Sequence, residues 1–77
     1  MTLTENEKNS LTELVKEYLK TKEAALFPVF EEVLSSLEVG TIEDAYQARY
    51  IRDAIYSSEE NKEKYQEVED KLVKEFF

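Results

Sequence analysis

Three pairs of neighbouring acids, Glu31–Glu32, Glu43–Asp44 and Glu59–Glu60, are the residues best suited by type to proton transfer or to holding a cation. Both kinds of chemistry need two carboxyl groups aimed at one point. Adjacent residues on a helix project about 100° apart, so no pair converges on a shared proton or ion. The calcium-wrapping pattern of alternating Asp or Asn followed by Gly appears nowhere in the chain. Solvated helix surface is therefore the plainer expectation for these acids.

The rest of the inventory narrows the chemistry further. The 77 residues include no His, no Cys and no Trp, one glycine (Gly40) and one proline (Pro28). Ser–His and Cys–His nucleophiles, disulfides and structural zinc are excluded with the side chains that build them. A di-iron carboxylate bundle needs Glu-x-x-His, and phosphate-cradling loops need several glycines. An acid–base enzyme would need a carboxyl group with a raised pKa in a pocket, and so small a chain has little interior for one. A protein without catalytic activity, cofactor or metal is expected.

One cluster points to recognition. Tyr46, Arg49, Tyr50 and Asp53 fall on one side of a single helix, with Arg49 and Asp53 one turn apart, as are Tyr46 and Tyr50. Tyr and Arg dominate binding hot spots because they bury area while keeping hydrogen-bonding capacity. In the competing view the tyrosines edge the core and Arg49–Asp53 is a surface pair contributing less than ~1 kcal/mol.

Charge supplies a second candidate. Ten basic residues face eighteen acids, a net charge of −8. This balance opposes direct contact with nucleic acid and repels an anionic membrane. Between Lys22 and Arg49 there is no basic residue, while Glu31, Glu32, Glu38, Glu43 and Asp44 all fall there. Elsewhere acids and bases alternate and partly cancel. That stretch should carry the strongest negative potential and could steer a basic protein surface into contact, although plain solubility would also favour such charge.

These residues need helices to position them. Leu11, Leu14, Val15, Tyr18 and Leu19 recur at helical spacing in a first helix predicted over about Glu5 to Thr21. Leu26, Val29, Phe30, Val33, Leu34 and Leu37 define a second. Pro28 disfavours the interior of a helix and biases Phe27 away from helical geometry. A break near 21–27 with Pro28 in the first turn of helix two is therefore expected. The alternative is one long helix kinked at Pro28, about 50 Å if unbroken to Leu37.

Gly40 can take the left-handed conformation that ends a helix. A third helix, about Ile42 to Tyr56, carries Ala48, Ile51 and Ile55 on its apolar face. The fourth, about Ser58 to Phe76, carries Tyr65, Val68, Leu72 and Phe76, a stripe widened by Val73 and Phe77. The terminal Phe76–Phe77 pair is expected to close the bundle rather than to dock elsewhere. Capping-box spacing marks Thr4–Glu7, Thr41–Asp44 and Ser57–Glu60. With five Tyr, four Phe and regular aliphatics, the chain is better suited to folding than to disorder. No strand signal competes. Residues 1–77 should form a single all-α domain, an antiparallel bundle of four short helices, or of three if the first two fuse.

No apolar run reaches the ~18 residues of a membrane span, and the longest, Ala24 to Phe30, contains the proline. No basic, apolar leader opens the chain, so a cytoplasmic setting is expected. In size and charge the chain is similar to small acidic helical inhibitors of phages and plasmids and to bacteriocin immunity proteins, a likeness that assigns no residue. Together these features lead to the expectation of a binding protein that inhibits or regulates by occupying a basic surface on another protein. Its contact would comprise Glu31, Glu32, Glu38, Glu43, Asp44, Tyr46, Arg49, Tyr50 and Asp53. A self-assembling structural subunit, such as a homodimer, is the alternative.

Overall fold

Local capping chemistry sets most of the helix boundaries. A computed structural model of the chain describes residues 1–21 and 28–77. Among them the helices are α1 (Glu5–Tyr18), α2 (Val29–Val39), α3 (Ala45–Ile55), α4 (Glu59–Lys64) and α5 (Gln66–Phe76). The chain is thus the small all-α bundle that its periodicity predicts, with five helices among the described residues.

At the start of α1 the Thr4 hydroxyl accepts from the Glu7 amide at 3.1 Å, and Glu7 Oε1 accepts from the Thr4 amide at 2.9 Å. This reciprocal box satisfies two donors that a helix start otherwise leaves open. α1 ends at Tyr18 rather than Thr21. Lys20 and Thr21 donate back to the carbonyls of Glu17 and Tyr18 at 3.1 and 3.0 Å, tightening the last turn. Helix one therefore closes before residue 22, and the longest dimension of the molecule is 29 Å, so the fused 50 Å helix does not form. Pro28 caps α2 with φ −57°, and its carbonyl accepts from Glu31 at 3.0 Å. There its missing N–H leaves no bond unmade. The expected break at 21–27, the geometry of Phe27 and the place of Leu26 on the apolar face fall on residues 22–27, outside the described residues.

Gly40 ends α2 with φ +96°. The Gly40 amide donates to Ser36 and Leu37, and the Thr41 amide reaches back to Ser36 at 3.0 Å, closing a left-handed cap. The expected capping box at Thr41–Asp44 is not formed. Thr41 instead pairs with Thr2 in an isolated antiparallel bridge. Leu3 donates to Gly40 O and Ile42 to Met1 O, both at 2.9 Å. Extended pairing holds residues 41–42 out of the helix, so α3 begins at Ala45 with Asp44 as its cap. Ser57 does not cap the next helix either. Its hydroxyl donates to Ala54 O at 2.7 Å, and Ser58 accepts from Asn61.

The predicted fourth helix is two, parted at Tyr65, whose φ of −105° and ψ of 19° break the helical path. Tyr65 is buried, and its hydroxyl reaches the Ser10 carbonyl of α1 at 3.1 Å. The core joins Leu11, Leu14 and Val15 of α1, Phe30, Val33 and Leu37 of α2, Ala48, Ile51 and Ile55 of α3, and Leu72 of α5. Each fully buried Leu or Ile contributes about 1.5–3 kcal/mol. Leu3 and Ile42 from the extended clasp are buried with them. Phe76 packs against this core, but Val73 and Phe77 stay exposed and do not widen its stripe.

Candidate functional site

The outward side of α2 is acidic because its inward side is fully used. Phe30, Val33, Ser36 and Leu37 are buried, which turns Glu31, Glu32, Ser35, Glu38 and Val39 to solvent. Four acids elsewhere lie beside cations, while the other described acids do not. Glu7 meets Lys71 at 2.7 Å, Glu17 meets Lys20 at 2.9 Å, Glu59 meets Lys62 at 3.6 Å and Glu69 meets Arg52 at 3.3 Å. Among the described residues no cation lies within 4 Å of Glu31, Glu32, Glu38, Glu43 or Asp44. Glu43 and Asp44 sit just beyond, in the α2–α3 connection. Asp44 also has a structural task, since its carboxylate accepts from the Gln47 amide at 2.9 Å. Gln47 Oε1 in turn accepts from the Glu43 amide at 3.0 Å.

On α3 the predicted cluster divides. Tyr46, Arg49 and Asp53 are exposed, and Tyr50 is half-buried. Tyr50 meets Phe30 edge-to-face at 5.3 Å, and Phe30 meets Tyr18 at 5.5 Å. Tyr46 leans edge-on against Tyr50 at 5.1 Å. The four rings make a ladder from α1 through the core to the surface, with Tyr46 as its outer rung, 55% exposed. Hydrogen bonding with Tyr46, and burial after it, hold the Tyr50 phenol above its ordinary pKa. Arg49 and Asp53 form no ion pair with each other within 4 Å. The structure therefore brings Glu43, Asp44 and Tyr46 together at the start of α3, and joins Tyr46 to Tyr50 by ring contact.

A second constellation was not singled out in the sequence. Arg52 Nη2 lies 3.3 Å from both the Tyr56 hydroxyl and Glu69 Oε1, and the Tyr56 hydroxyl donates a short bond to the same Glu69 oxygen. Glu69, on α5, is 7% exposed. Hydrogen bonding to Tyr56, with the Glu69 carboxylate behind it, raises the Arg52 pKa, so the guanidinium stays charged. A readable signal existed: Glu69 sits on the apolar arc of its helix beside Leu72 and Phe76, where a carboxylate requires a partner. Among the described residues no group of three or more acids is gathered so as to hold a metal ion. Nor is any described helix long and apolar enough to cross a membrane.

Comparison with known protein families, with curated proteins and with solved structures finds no match to this chain.

Proposed function

We propose that this protein is a non-enzymatic acidic binding protein that inhibits or regulates a protein partner by occupying a basic surface on it. The proposal rests on acid concentrated without base: Glu31, Glu32, Glu38, Glu43 and Asp44 fall in the stretch between Lys22 and Arg49 that holds no Lys or Arg, and among the described residues none of them has a cation within 4 Å. Unmatched like charges on one side repel each other in the free protein and are relieved by a cationic partner. Val39, 79% exposed, lies among these acids on α2, and Tyr46 follows them on α3. Both supply the apolar contact that a purely charged surface lacks. Arg49 and Asp53 extend the surface along α3 and could fix the register of the contact. A concrete version is an inhibitor whose carboxylates stand where nucleic-acid phosphates would bind an enzyme.

Comparative capture tests this. Wild-type chain and a Glu31→Gln/Glu32→Gln/Glu38→Gln variant are used as bait in host extract at 50 and 500 mM KCl. Mass spectrometry should identify a protein held by wild type at low salt and lost both at high salt and with the variant. Equal capture by both baits would refute the proposal.

A further inference from the structure

The chain's two arginines line one concavity, which includes none of the α2 acids. Between the second half of α3 and the end of α5 lies a concavity of about 480 Å³, lined by Arg49, Arg52, Asp53, Tyr56 and Phe77. Small-molecule sites span ~300–1,000 Å³. Arg52 is fixed before any ligand arrives, because Tyr56 and Glu69 hold its Nη2. Its guanidinium carbon stands 5.3 Å from the Tyr56 ring and 4.9 Å from the Phe77 ring. Both rings are exposed and offer apolar edges beside the cation. Its Nη1 carries no hydrogen bond within the described residues, and Nε is buried there without a partner. Arg49 adds a second, exposed guanidinium with no acid among the described residues within ion-pair distance.

We infer that this concavity binds a small organic carboxylate carrying an apolar ring or branched chain beside its carboxyl group. Arg49 and Arg52 Nη1 supply charge-assisted hydrogen bonds to the two oxygens, a match for the planar guanidinium. Tyr56 and Phe77 cover the apolar portion. A neutral apolar ligand leaves both cations unused. A phosphate dianion brings no apolar portion and more repulsion from Asp53, which faces the same space.

Backbone and arginine side-chain NMR of the full chain, titrated at pH 7 with 3-phenylpropionate and in parallel with 3-phenylpropionamide, tests this. The acid should give saturable shifts at Arg49, Arg52, Tyr56 and Phe77, with a Kd in the low millimolar range expected for so small a ligand. The amide should not saturate below ~20 mM, a choice set by that expected affinity. Arg49→Gln, a change at an exposed side chain that the fold does not use, should weaken binding about three- to fivefold. Asp53→Asn should tighten it about twofold by removing repulsion. The α2 triple variant should leave it unchanged, so although Arg49 and Asp53 belong to both surfaces, failure of the acidic α2 interface and failure of this site are distinguishable. Equal affinity for acid and amide, insensitivity to Arg49→Gln, or no saturation by the acid at ~20 mM would overturn the inference.

Discussion

Removing the guanidinium of Arg52 should expose how much the α3–α5 contact depends on one ion pair. In Arg52→Ala the Glu69 carboxylate, whose side chain is 9% exposed, keeps only Tyr56 as a donor. Breaking a fully buried pair by deleting one partner costs about 3–5 kcal/mol. The Arg52 side chain is 30% exposed, so water can reach part of the site and the expected cost is about 2–3 kcal/mol. Lost stacking on Tyr56 and Phe77 is included in that figure. A 77-residue domain is stable by about 4–12 kcal/mol, so the loss is large. Tm should fall by about 10–20 °C. Urea unfolding followed by circular dichroism measures the free energy directly. The double variant Arg52→Met/Glu69→Leu removes the pair and its desolvation together, and should return to within ~1 kcal/mol of wild type. A cost below ~0.5 kcal/mol for Arg52→Ala, or a double variant equal to the sum of the singles, would refute the assignment.

Gly40→Ala should destabilise by about 1–2 kcal/mol through its left-handed φ of +96°, not through crowding, since an added Cβ meets only Lys8 Cδ at 3.9 Å. Gly40→Asn should cost less, and equal losses measured by urea unfolding would contradict that origin. The Glu7 carboxyl is held below its ordinary value of 4.5, first by its hydrogen bond to Lys71 and then by the Thr4 amide. Its contribution is therefore complete above the unfolded pKa and is lost as pH falls through the lower folded one. Lys71→Met should lose under ~1 kcal/mol at pH 7 and show a flatter decline between about pH 5 and 3. Parallel declines in the two proteins would show that Lys71 is not the cause.

What could be seen in the sequence was local physics. The Thr4–Glu7 box and the stop at Gly40 depend on residues within five positions of each other, and both formed as spaced. The apolar faces of Leu11–Leu14–Val15 and Ala48–Ile51–Ile55 followed from helical period alone. The errors trace to distant partners. Thr41 has a capping side chain, but pairing with Thr2 draws it into an extended clasp. No Gly or Pro marks the break at Tyr65, which coincides with its hydroxyl's bond to Ser10 on α1. Tyr50 is not an error of this kind: it occupies the predicted side of α3 and meets Phe30 of α2, as the view that the tyrosines edge the core expects. Glu69 was not singled out, because its partner Arg52, seventeen positions earlier, reaches it only once α3 and α5 have packed.

If the acids of α2 and of the connection after it form a contact surface, their charge must govern the affinity of the partner they meet. The most direct test is the salt dependence of Kd for the captured partner, measured by titration calorimetry with wild type and with Glu31→Gln/Glu32→Gln/Glu38→Gln. The account predicts affinity that drops steeply with KCl for wild type, and a variant weaker on the order of tenfold at low salt with a shallower slope. The same Kd and the same slope for both proteins would contradict it.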